Sequence, residues 1–166
     1  MSLINTTGSS LKADTKAAAF LEACLLLDGA EKARNAANPG IAPKNNVSVT
    51  FSNEEGVAQI SIQLPASPTA TGAGLIYAPT DYLGGAFGVF TAGGDVTATT
   101  ITSAVSQVAH ILSAMEKTVQ PIEDQPNNVQ IESSSENGFI TITATIPFTQ
   151  TIDVDGNIKI VALDYV

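Results

Sequence analysis

The chain has 166 residues, 44% hydrophobic and 14% charged, and its 7 Lys and Arg against 16 Asp and Glu leave a formal charge of −9. A chain of this length can bury a core without disulfide staples, and this composition lies far from the disordered class. The negative charge repels phosphate backbones and anionic membrane surfaces, and no run of about 18 apolar residues is present, so neither nucleic acid nor membrane is expected as a partner.

Met1 to Gly8 lacks a basic stretch followed by an apolar one, so no secretory signal is read and a cytoplasmic location is expected. Leu3-Ile4, followed by Gly8, reads as a short strand ended at a turn. A helix is expected from about Thr15 to Ala36. Its stripe Phe20, Ala23, Leu27 and Ala30 is widened by Leu21, Leu25 and Leu26. A helix apolar on so many sides wants two contact surfaces, which makes Leu21 and Leu25 candidate interface residues. Cys24 is the single cysteine, within the apolar run Phe20 to Leu27, and fits a small buried hydrophobe.

Val47, Val49 and Phe51, then Ile60, Ile62 and Leu64, alternate with polar residues. That period marks antiparallel strands with one covered face. Asn53 to Gly56 between them fits a hairpin loop that uses glycine for positive φ. A third strand is expected over Leu75 to Ala78. The stretch Pro79 to Gly94 is rich in glycine and aromatics, and it reads either as a crossover with its aromatics in the core or as the wall of a ligand pocket made by Tyr77, Tyr82, Phe87 and Phe90.

Phe87 to Phe90, ended by Gly93-Gly94, reads as another strand. Ile101, Val105, Val108, Leu112, Met115 and Val119 then form a helical stripe, with Thr99 or Thr100 as N-cap and Pro121 as a stop. Ile140, Ile142, Ala144 and Ile146 alternate with Thr141, Thr143 and Thr145 as a half-covered strand. Asp155-Gly156 reads as a two-residue type I′ turn leading into a last strand, Asn157 to Leu163.

The two halves repeat. Asn45–Pro79 aligns without a gap on Asn127–Val161 with 11 identities in 35 positions, and eight more, Glu31/Glu116 and Thr15/Thr100 among them, link 1–34 to 86–119. The expected architecture is α+β: a tandem duplication of a β-α-β-β-β unit, halves 1–83 and 84–166, with antiparallel sheet packed against two helices about a pseudo-twofold axis.

Chemistry is sparse. His110 is the only histidine, with Ser106 one turn before it and Leu25 at its place in the other half. A mid-helix serine lacks the strained elbow of a nucleophile, so His110 is expected to be structural or at an interface, with catalysis the weakest alternative. No Cys or His spacing suits a metal, Asp153 to Asn157 departs from a calcium loop, and no phosphate-binding glycine pattern occurs, so no metal or cofactor is expected. The favoured reading is a noncatalytic interaction or assembly protein, self-associating or bound to another protein. The alternative is a small-ligand binder with its pocket between the halves.

Overall fold

Two threonines start the helices. Thr15 and Thr100 have extended backbones, and their side-chain oxygens accept from the N–H groups of Ala18 and Ser103. First-turn N–H groups have no partner inside a helix, so these caps set where each begins. Helix α1 runs over Lys16–Ala37 and α2 over Ile101–Thr118.

The structure, a computed structural model, describes residues 4–6, 11, 13, 15–52, 54–72, 74–84, 90, 92–94, 96–119, 126–134, 138–152 and 154–166. Its strands are β1 (Ile4–Thr6), β2 (Val47–Ser52), β3 (Val57–Thr71), β4 (Gly74–Pro79), β5 (Ala92–Gly94), β6 (Val129–Ser134), β7 (Phe139–Ile152) and β8 (Ile158–Ala162). The fold is α+β, with two helices packed on a six-stranded antiparallel sheet. A two-stranded ribbon, β1 with β5, stands apart from it. Among the described residues, no helix is long and apolar enough to cross a membrane.

The sheet is built around β3 and β7, which pair antiparallel from Val57↔Pro147 to Pro65↔Phe139. β2 flanks β3 and β6 flanks β7, each through a four-residue hairpin loop. Those loops end on Gly56 and Gly138, with φ of 65° and 67°. A side chain at such φ is strained, so the two glycines are needed there. The carbonyl of Pro147 accepts from Leu163 while the next N–H, that of Phe148, donates to Gly56. The two ends of a trans peptide point opposite ways, so β8 follows β6 along the same flank of β7. By the same geometry at Pro65 and Ala66, whose partners are Thr80 and Gly138, β4 follows β2 along the outer flank of β3.

Alternation decides the two faces. Ile60, Ile62, Leu64, Ile140, Ile142, Ile146 and Phe148 are buried beneath the helices with Phe20, Leu27, Val105, Val108 and Leu112. Gln59, Ser61, Gln63 and Thr143 are exposed on the opposite face. This is the pattern expected of strands covered on one side.

Gly93 and Gly94 are the last two residues of β5, opposite Asn5 and Ile4. Of the strand expected over Phe87 to Phe90, all but Phe90 lies outside the described residues. One expectation fails locally: Asp155-Gly156 is not a two-residue turn, because the ladder closes at Ile152↔Ile158 and leaves a five-residue loop. A type I′ turn needs positive φ at both positions, and among the described residues only glycines have it, Gly156 at 81°.

Ile142 is fully buried and lies opposite Ile62 on β3 and Ile131 on β6. Ile142→Ala should lower the stability measured by urea unfolding by about 2–5 kcal/mol. Thr143→Ala, one residue on but on the open face, should cost about 1 kcal/mol or less.

Candidate functional site

Buried carboxylates hold each helix to the strand that follows it. Glu31, near the end of α1, is 3% exposed and accepts from the N–H groups of Asn46 (2.9 Å) and Val47 (3.4 Å) and from the Tyr82 hydroxyl at 2.6 Å. Glu116, near the end of α2, is 2% exposed and accepts from Asn128 (3.0 Å), Val129 (3.0 Å) and the Tyr165 hydroxyl at 2.8 Å. The Asn46 and Asn128 side chains then donate to the carbonyls of Gln63 and Thr145. A buried carboxylate is costly unless its lone pairs are filled, and here backbone donors and one phenol fill them. Burial pushes both tyrosines well above their ordinary pKa, and hydrogen bonding to the glutamate, with its negative charge, pushes the same way.

Three of the four aromatics proposed as a ligand wall fall within the described chain; Phe87 does not. Tyr82 is committed to Glu31. Phe90 is buried in the core, and its N–H donates to Thr99. Tyr77 lies in β4 opposite Pro68, with its side chain outside the described part. The sequence marked Glu31 and Glu116 as repeated, but it did not mark Tyr165, whose partner lies 49 residues away.

His110 is exposed, and its Nδ1–H donates to the Ser106 carbonyl at 2.7 Å, with the Ser106 hydroxyl at 3.5 Å. A ring nitrogen that donates to a carbonyl cannot take the serine proton, so this pair is not an activated nucleophile. Among the described residues, no three His, Cys, Asp or Glu side chains are grouped to hold a metal ion. Cys24 is fully buried, and burial raises its pKa.

Three surface features stand out among the described residues. A cavity of about 320 Å³ opens on the hydroxyl-rich face between Ser48, Thr50, Gln59, Ser61, Thr143 and Thr145. A groove of about 590 Å³ runs between β6 and the α2 stripe His110, Ser113, Ala114 and Lys117. The third is the β7–β8 hairpin. There the buried face of the sheet continues past Phe148 into Ile152, Ile158 and Ile160, which are 75%, 69% and 38% exposed. Val161 and Leu163 are also exposed, and Val154 in the loop is fully so.

The interface candidates separate. Leu21 is 4% exposed and belongs to the core, whereas Leu25 is 41% exposed. Leu25 lies on α1, one turn before the Asp28–Lys32 ion pair. Comparison with family models, with curated proteins and with solved structures gave no match to the chain.

Both tyrosines can be tested by their titration. An unfolded tyrosine ionises near its ordinary 10.0, while the folded protein keeps Tyr82 and Tyr165 protonated above that pH. Their contribution is therefore complete below pH about 10 and is lost as the pH rises further. The melting temperature should fall above pH about 10, and less steeply in a Tyr82→Phe, Tyr165→Phe double variant. At neutral pH each single Phe variant should lose about 1.5–3 kcal/mol, the usual worth of a hydrogen bond to a charged group.

Proposed function

We propose that the protein is a noncatalytic assembly module, a tandem duplication folded as a pseudo-dimer that associates with further copies of itself. The observation that carries the assembly reading is the β7–β8 hairpin. A monomer rarely leaves a row of large aliphatic side chains standing in water on both faces of a projecting hairpin. On one face Ile152, Ile158 and Ile160 prolong the core beyond the residues that cover it; on the other stand Val161 and Leu163.

The duplication reading draws on recurring geometry as well as recurring letters. Ser61 pairs with Thr143, its aligned counterpart 82 residues on, at the middle of the β3–β7 ladder. The β2–β3 register Val47↔Ile62 recurs as Val129↔Ala144 in β6–β7. Glu31 with Tyr82 and Asn46 recurs as Glu116 with Tyr165 and Asn128. The reciprocal bonds from Phe148 to Gly56 and from Ala66 to Gly138 also exchange under the same relation.

The charge of −9 opposes self-association at low salt. Measurements therefore belong near 0.15 M, where the screening length is about 8 Å. Sedimentation velocity should show species larger than the 17.0 kDa chain whose share grows with concentration. An Ile152→Lys, Ile158→Lys variant should lose the largest of those species while leaving the melting curve of the dilute protein unchanged, since both side chains are exposed. A single 17.0 kDa species at every concentration would refute the reading.

A further inference from the structure

The groove beside β6 has a form that selects its occupant. Among the described residues, β6 is the terminal strand on its side of the sheet and pairs with β7 alone. Thr145 donates to the Asn128 carbonyl, so that carbonyl and the backbone groups of Gln130 and Glu132 turn towards β7. By alternation, the carbonyl of Val129 and the N–H and carbonyl groups of Ile131 and Ser133 point away from the sheet. The Val129 N–H is taken by Glu116. A row of such groups at two-residue spacing is complementary to another extended chain.

The four α2 residues on the far wall follow helical spacing, and the middle two, Ser113 and Ala114, are small. Ile131, in the middle of the strand, lines the same groove as Ser113 and Ala114. Such a groove has the makings of one side of a twofold interface.

Resting on the assembly reading, we infer that the occupant is the same β6 edge of a second copy. The two strands would run antiparallel, with Ile131 opposite Ile131 of the partner subunit, and α2 would lie beside its symmetry mate. Ile131 would bond to Ile131 of the partner subunit through both N–H and carbonyl, and the Ser133 N–H would reach the Val129 carbonyl across the axis. The molecule already contains a joint of this kind, because β3 pairs antiparallel with β7 while α1 packs on α2. The small residues at the groove centre allow the close helix approach that such a joint requires.

Two exposed positions test it without touching the core. Ser133→Pro removes an outward N–H and no bond to β7. Ala114→Arg sets bulk and like charge on the axis. Each should weaken dimerisation, the proline about 10- to 100-fold for the two equivalent backbone bonds lost, with circular dichroism unchanged. The hairpin variant Ile152→Lys, Ile158→Lys should leave the dimer intact and remove only larger species. If both Ser133→Pro and Ala114→Arg associate like the parent while the hairpin variant does not, the inference fails and the assembly reading stands. If the parent is monomeric throughout, both fail.

Discussion

Everything else in the fold is placed by the ladder between β3 and β7. Its nine residue pairs join strands more than 70 residues apart in sequence, and each strand carries its own hairpin neighbours on its outer flank. Because side chains alternate, fixing Ser61 against Thr143 also fixes Ile60, Ile62 and Leu64 on the same face as Ile140, Ile142 and Ile146. A slip of one residue would turn one of these sets into water. The helices then have one apolar surface to cover, and the two buried carboxylates determine where each helix ends over it.

Those carboxylates explain an oddity of composition. Glu31 and Glu116 are among the most buried side chains of the protein, yet their bonds run to backbone N–H groups and a tyrosine. Each takes the first N–H groups of a strand that has just left a loop. Such groups have no ladder partner on that side, so the same contact that keeps the carboxylate solvated by protein also satisfies the strand start.

Much of the architecture was legible because it is written locally. Thr15 and Thr100 precede their stripes, the isoleucine alternation gives the covered face, and Gly56 and Gly138 mark the hairpin loops. What could not be read depends on partners distant in sequence. Leu21 and Leu25 look alike in a helical pattern; packing in the folded chain buries the first and leaves the second exposed. The partner of Tyr82 is another case, because its hydroxyl donates to a glutamate 51 residues earlier. At Asp155-Gly156 the dipeptide suggested the tightest turn, while the pairing of Ile152 with Ile158 set a longer loop. The candidate surfaces were the least legible of all, since the exposure of Ile152, Ile158 and Ile160 depends on what the folded chain leaves uncovered.

The central ladder also bears on how the protein is made. A chain that leaves the ribosome N-terminus first presents α1 and the β2–β3 hairpin long before β7 exists, so the inner edge of β3 and the apolar side of α1 wait uncovered while some 80 further residues are added. At about 5–20 residues per second, that interval lasts several seconds. Non-local strand pairing is slow in any case, and an open β edge beside apolar side chains is the surface on which nascent chains stick to one another. The acidic character of the whole chain then acquires a second use, holding such half-made neighbours apart until β7 arrives to close the sheet.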